Sequence, residues 1–340
     1  MKLLTKVLCM ISFFLLASCS KLEEIKKING YAQGTTWHVS VWKEGGVNTQ
    51  QLQGEIQKEF NRLDSVLSNY RSDSVIEGFN NNSTTDPIEV GSEIVNLVRV
   101  ARGVSQASGG CYDLTVRPLF ELWGFSDKVL TPPEEAKIQG QLEKVGFDKL
   151  LTISDTALRK QVPLLRVDLS SIAQGYSVHR IAEIVERYGI QNYLVEIGGE
   201  LQTRGQKPDG SSWRIGIERP LPGGHSVQKA ITIKQTAPLS VMTSGTYRHY
   251  FDESGRRYSH IIDAVSGQPV DHSTVSVTVI HDNPTVADAW STALLCMGYV
   301  KGARVAEKND IAAFFINETG DGLIEAATPN WIEMETIEVH

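Results

Sequence analysis

The chain has 340 residues, of which 41% are hydrophobic, 8% aromatic and 21% charged, an ordinary globular composition with length enough for a large core. A net charge of −7 leaves no basic excess to neutralise a phosphate polymer and argues against nucleic-acid binding. A mean hydropathy of −0.17, with apolar residues spread along the chain, excludes intrinsic disorder and a polytopic membrane protein.

Lys2 and Lys6 precede an apolar run from Val7 to Ala17, the layout of a secretory signal and too short for a comfortable membrane-spanning helix. The run ends in Leu16-Ala17-Ser18-Cys19, which resembles a bacterial lipobox. Small residues before the cysteine let the scissile bond enter a tight site, and the thiol then takes the lipid. An ordinary signal peptide with an incidental cysteine is the alternative. We expect residues 1–18 to be a lipoprotein signal peptide and residues 19–30 a tether lipidated at Cys19, polar from Lys21 to Lys27. Residues 31–340 then form one domain. With Cys9 in the signal, only Cys111 and Cys296 remain, and a disulfide or two buried thiols both fit. Neither CxxC nor HExxH occurs, so zinc has little support.

Thr35 to Trp42 alternates apolar and polar residues and reads as a strand. Leu52, Ile56, Phe60, Leu63 and Leu67 mark one face of a helix. The polar stretch from Ser68 to Asn82 reads as a loop. Ile94 to Ala107 reads as a helix stopping at Gly109-Gly110, and Thr131-Pro132-Pro133-Glu134-Glu135 as a helix start capped by Thr131. Val162 to Val167 is expected to be a short strand running into Asp168. Val178, Ile181, Val185 and Tyr188 mark a second amphipathic helix, starting around Ser171 and ending near Gly189. Tyr193 to Ile197, Trp213 to Glu218 and Ala230 to Lys234 read as strands. Val275 to Ile280 is a further strand that leads into a helix from about Thr285 to Met297. With no solenoid period and no Pro/Ser-rich linker, this order favours an α+β (mixed α/β) fold in one large domain of mixed sheets flanked by helices.

Several segments carry candidate chemistry. Asp168 ends the expected strand just before a helix N-terminus, where free amides suit a phosphate or ribose; Asp168 and Ser170 as plain helix caps are the simpler reading. Neither G-x-G-x-x-G nor a Walker loop is present. Asp288, Ser291 and Thr292 share one helix face, and their oxygens suit a hard cation such as Mg²⁺. The competing reading makes Asp288 a first-turn acid and Thr292 a packed surface residue. Thr243-Ser244-Gly245 fits a phosphate cradle or a plain turn. His260, three residues before Asp263, suits a general base or a structural histidine.

Read in order, these segments resemble the ApbE family of FAD:protein FMN transferases over nearly the whole chain after the signal. The matching parts are Gly34-Thr35-Thr36-Trp37, Leu67 to Ser74 with Phe79-Asn80, Tyr112 to Leu119 with Leu122-Trp123-Gly124-Phe125, and Val167 to Tyr176. They continue with Tyr193 to Glu200, Thr243-Ser244-Gly245, Tyr258 to Asp263, Val275 to Val279 and Ala287-Asp288-Ala289.

The resemblance implies an enzyme that binds FAD and Mg²⁺ and moves FMN onto a Ser or Thr hydroxyl of an acceptor flavoprotein, releasing AMP. Acceptors of the family are subunits of membrane redox complexes. Carried over, Tyr70, Asp113, Leu114, Thr115 and Asp168 line the FAD site, with Gln33, Gln174 and Ile262 at further contacts. The metal takes Asp288 and Thr292, an oxygen at Ser291 and one at Ser171, its carbonyl. His260 matches the catalytic histidine, read here as the base, with Asp288 as the metal anchor. Gln174, Gln33 and Ala264 depart from the frequent Lys, Met and Pro at their positions. The location implied is the bacterial cell envelope, lipid-anchored at the periplasmic face of the inner membrane, where a shared surface raises the effective acceptor concentration. An FAD pyrophosphatase giving FMN and AMP is the enzymatic alternative, which Tyr70 disfavours. A non-catalytic FAD-binding lipoprotein is the other, and it would not need the Asp288 face.

Overall fold

Two alternating segments, β1 (Lys26–Ala32) and β2 (Thr35–Trp42), pair antiparallel about the turn Gln33-Gly34. Both turn residues have positive φ, 51° and 77°, as a two-residue hairpin matched to strand twist requires. Glycine adopts this freely, whereas Gln33 is held by Nε2 donating to Ser177 Oγ at 2.9 Å. The computed structural model describes residues 24–126, 130, 132–221, 226–246, 250–253 and 256–340. The signal peptide and Cys19 lie outside the described residues. Residues 26–30, expected in the tether, instead belong to β1, because Ile28 and Ala32 are inward-facing positions that the flanking lysines disguise.

The chain continues through α1 (Thr49–Leu67), α2 (Val75–Asn81), β3 (Ile88–Glu89), α3 (Gly91–Ala107), α4 (Arg117–Leu122), α5 (Glu135–Leu142), β4 (Leu150–Thr152), β5 (Ala157–Lys160) and α6 (Ala173–Arg187). Then come β6 (Asn192–Ile197), β7 (Glu200–Arg204), β8 (Trp213–Glu218), β9 (Val227–Ile233), β10 (Leu239–Gly245), β11 (Tyr250–Glu253), β12 (Arg256–Ser259) and β13 (Thr274–His281). The chain closes with α7 (Pro284–Lys308), β14 (Ala312–Thr319), β15 (Gly322–Ala327), α8 (Pro329–Ile332) and β16 (Ile337–Val339).

An eight-stranded antiparallel sheet in the order β1-β2-β6-β7-β10-β13-β14-β15 is the backbone of the fold. Its helix-side face packs on α1, α6 and α7, with α3 laid against α7; α1 contributes the stripe Leu52, Ile56, Phe60, Leu63 and Leu67, all buried as the spacing predicts. The opposite face of β7, β10, β13 and β14 meets a small sheet, β16-β9-β8, through Ile215, Ile217, Ile231 and Ile233. A third cluster joins Leu119, Trp123, Ile138 and Ile262. This is the mixed α+β architecture the sequence indicates.

Several local expectations are corrected. Residues 68–82 are not all loop: α2 lies within them, capped by Ser74 Oγ accepting from the Glu77 amide at 3.2 Å, a Ser-x-x-Glu signal at a helix start. The helix near Pro132-Pro133 begins only at Glu135, after a Glu134 whose side chain makes no capping bond; Thr131 lies outside the described residues. Residues 162–167 form no strand: residues 161–164 turn, with the Leu165 amide donating to the Val162 carbonyl at 3.1 Å, and side chains take up the backbone at Val167. Asn80 Oδ1 accepts from the Val167 amide, Asn69 Oδ1 accepts from the Leu169 amide, and both asparagines donate to the Val167 carbonyl. The last predicted helix does end at Met297: Gly298, at φ 67° and ψ 170°, is non-helical and kinks α7, and a second helical segment follows to Lys308.

Candidate functional site

Helices α6 and α7 meet at Gly175. A Cβ there would stand 2.5 Å from Asp288 Cβ and closer still to the Pro284 carbonyl oxygen, so only glycine permits this approach. The Gly175 N–H donates to Asp288 Oδ2 at 2.7 Å. Ile172, at the N-cap position of α6, supplies no side-chain cap, so Asp288 caps α6 from another helix and faces its positive dipole end. Asp168 instead closes its own turn, with Oδ1 accepting from the Ser170 amide and hydroxyl at 2.9 and 2.5 Å.

Asp288 is 5% exposed. Burial pushes its carboxyl up to about 7, opposed by the Gly175 amide. No cationic side chain pairs with it among the described residues, and Oδ1 accepts no hydrogen bond from them. A buried carboxylate with no cationic side chain beside it is a group that a bound cation can neutralise. Hydroxyls stand beside it: Ser244 Oγ, at the end of β10, lies 2.7 Å from Ser291 Oγ and 3.0 Å from Thr292 Oγ1. Ser291 also donates to the Asp288 carbonyl at 2.9 Å. Hard oxygen donors of this kind fit Mg²⁺.

The other anticipated residues divide into two groups. Ser171 sits just before α6, with Oγ donating to the Tyr112 hydroxyl at 3.3 Å. Gln174 Nε2 donates to the Ile197 carbonyl at 2.5 Å at the end of β6, and Gln33 reaches α6 through Ser177, so both lie around the same helix turn. Tyr70 is 83% exposed and within electrostatic reach of Asp168 and Arg117. The side chains of Asp113 and Thr115, in contrast, are committed to the scaffold. Asp113 accepts from the Thr115 amide and hydroxyl and from the Phe147 amide, while Thr115 Oγ1 accepts from the Gly146 amide at 2.6 Å. Leu114 is buried, its carbonyl accepting from the Asp168 amide at 2.7 Å. Ile262 is buried in the third cluster and bridges to Pro269. His260 is half-buried directly after β12. Its segment is tied inward where the Ala264 amide donates to the Cys111 carbonyl at 3.2 Å.

Two features escaped the sequence reading as site parts. Cys111 and Cys296 form a disulfide, with 6.1 Å between Cα atoms, that joins the loop carrying Tyr112 to α7. Asn69, Glu77 and Asn80 form a buried lattice that fixes residues 167–169; Asn69 and Asn80 both donate to Glu77 Oε1 at 2.9 Å. Arg117 and Arg166 complete it on the Glu77 carboxylate, at 3.4 and 3.2 Å. Ser244, read from the sequence as part of a phosphate cradle or a plain turn, joins the hydroxyl cluster. The one available signal was the polar density of Ser68 to Asn82, which a loop explains as readily as a buried network.

The model of the ApbE family matches residues 33–315. An FAD:protein FMN transferase of Vibrio cholerae is 36% identical over 323 residues, covering 94% of this chain and 96% of the relative. Among solved structures, the flavin transferase ApbE from Vibrio cholerae superposes with a TM-score of 0.82 at 35% identity, covering 91% of this chain and 99% of that one. The apo form of Pseudomonas stutzeri flavinyl transferase ApbE gives 0.83 at 37% identity, covering 92% and 97%.

Proposed function

The chain belongs to the ApbE family and is an FAD:protein FMN transferase, and from that premise we propose a Mg²⁺-dependent reaction on a Ser or Thr hydroxyl of an acceptor flavoprotein. The observation that carries the metal assignment is the buried, half-satisfied carboxylate of Asp288 beside Ser244, Ser291 and Thr292. Asp288 and Thr292 would hold Mg²⁺, with oxygens of Ser291 and Ser171. When bound, the cation neutralises the diphosphate and stabilises the departing phosphate.

The acceptor hydroxyl oxygen attacks the FMN phosphorus, a new phosphoester bond forms, and the bond from that phosphorus to the bridging oxygen breaks, so that AMP leaves. His260 takes the proton from the hydroxyl, which is a weak nucleophile at neutral pH without a base. The Asn69–Glu77–Asn80 lattice holds residues 167–169 ahead of α6, and the α6 amides favour the negative substrate. We further propose that Cys19 carries a lipid that keeps the enzyme on the periplasmic face of the inner membrane, beside an acceptor subunit of a membrane redox complex.

The test measures AMP release from FAD by the chain lacking residues 1–19, with and without Mg²⁺ and with and without an acceptor domain. Mg²⁺-dependent AMP in step with a covalently flavinylated acceptor supports transfer. AMP with free FMN and an unlabelled acceptor moves the reading to a pyrophosphatase. FAD binding without AMP moves it to a carrier.

A further inference from the structure

The segments carrying Tyr70 and Asp168 meet at a cluster of charges, with Arg117 and Arg166 set among Glu77, Glu121 and Asp168. Arg117 is the first residue of α4, and its side chain is only 13% exposed. Its Nε donates to Glu121 Oε1 at 2.9 Å. Its Nη1 donates to the Asn69 carbonyl at 3.1 Å and lies 3.4 Å from Glu77 Oε1 and 3.8 Å from Asp168 Oδ2. Arg166 reaches the same two glutamates, Glu121 Oε1 at 2.6 Å and Glu77 Oε2 at 3.2 Å.

Two of the Arg117 contacts are redundant and two are not. Without Arg117, Glu121 keeps Arg166, and the buried Glu77 keeps Arg166 and the Asn69 and Asn80 side-chain amides. The Asn69 carbonyl and Asp168 Oδ2, in contrast, meet no other donor or cation among the described residues. Both belong to segments that line the FAD in the reading above. The Asn69 carbonyl is part of the peptide that leads into Tyr70, and Asp168 Oδ1 is taken by its own turn, which leaves Oδ2 to face the cluster. At 3.8 Å the Arg117–Asp168 pair is held by charge without a hydrogen bond, so Oδ2 is oriented while its lone pairs stay available. A lysine could not replace this arrangement, because one amine cannot serve Glu121, the Asn69 carbonyl and Asp168 as a planar fork does.

We propose that Arg117 is a positioning residue for FAD: its guanidinium ties the Asn69–Tyr70 peptide to the Asp168 carboxylate and so sets the spacing between the two sides of the FAD site. This rests on the transferase reading, in which Tyr70 and Asp168 line the FAD. Arg117 touches no reacting atom, so it governs the affinity for FAD and not the attack at phosphorus.

The test is a pair of double-mutant cycles in the full chain, Arg117→Met against Asp168→Asn and against Tyr70→Ala. FAD affinity is measured by calorimetry with Mg²⁺ and no acceptor, and kcat and KM by acceptor flavinylation. Arg117→Met is expected to weaken FAD binding about tenfold, the scale of a lost charge-assisted contact, with kcat at saturating FAD unchanged. In either second background the same change is expected to cost about threefold, because one of its two routes is already gone. A lowered Tm with unchanged FAD affinity is the result for a purely structural ion pair and overturns the proposal. A full loss of affinity retained in both backgrounds overturns it as well. If Arg117→Met does not fold, Arg117→Lys, which keeps the charge and loses the fork, goes through the same cycles. Weakened FAD binding coupled to Asp168 and Tyr70 then supports the proposal, and unchanged binding overturns it. Failure of the transferase reading appears separately, as wild-type protein that binds FAD and labels no acceptor, and the FAD-binding cycles still decide Arg117.

Discussion

Replacing Asp288 by asparagine tests the metal assignment through both stability and activity. Asparagine keeps the shape and an oxygen for the Gly175 amide and removes the charge. In the cation-free protein the carboxyl stands at about 7 against an ordinary 3.8. At 1.36 kcal/mol per unit this amounts to about 4 kcal/mol, an upper bound once local relaxation is counted. The folded form binds the proton more tightly than the unfolded form, so the unfolded form deprotonates first as pH rises. Stability is thus intact below pH 4, falls between about 4 and 7, and stays reduced above. With EDTA present, denaturant titrations of the wild type show this fall and Asp288→Asn lacks it, so the variant is the more stable protein at pH 8. Adding Mg²⁺ at one hundred times its Kd restores about 2.7 kcal/mol to the wild type and nothing to the variant. Acceptor flavinylation falls on the order of a thousandfold, the equivalent of several kcal/mol of metal catalysis. A variant that is still stabilised by Mg²⁺, or that keeps near wild-type flavinylation, refutes the metal assignment. A variant less stable than wild type at pH 8 refutes the buried-charge argument.

Gly175→Ala drives a methyl into Asp288 and Pro284 and is expected to cost about 3 kcal/mol and most of the flavinylation; because alanine is the better helix former, a raised Tm would sink the close-packing argument. The Cys111–Cys296 bond closes a separation of 185 residues, so a reductant should lower stability by up to about 5 kcal/mol. Peptide mapping after alkylation of the unreduced, unfolded protein checks it: two labelled thiols would show that the bond is absent. His260→Ala should lower kcat by about a hundredfold to ten-thousandfold with FAD affinity unchanged, read by single-turnover flavinylation and calorimetry. A loss of FAD affinity with kcat preserved would make the histidine a binding residue instead.

The sequence by itself determined the parts of this protein that rest on local periodicity and local chemistry. The five apolar positions of α1 and the alternation of β2 and β6 are legible because each buries one face against the sheet, and burial repeats with the element's own period. Asp288, Ser291 and Thr292 could be placed on one face because helix geometry alone puts them there. The family resemblance supplied the order of the site segments.

What depends on distant partners was decided only by the tertiary structure. Residues 162–167 look like a strand, yet the amides of Asn69 and Asn80 satisfy their backbone end, and nothing in that hexapeptide announces it. Asp168 looks like the cap of α6, whereas Asp288 is the cap, brought across 113 residues by a glycine contact. The side chains of Asp113 and Thr115 turned inward to the scaffold, and Cys111 met Cys296. Periodicity reports which face of an element is buried. A hydrogen bond or a disulfide between segments is fixed by how those faces pack, and that information is spread over the whole chain.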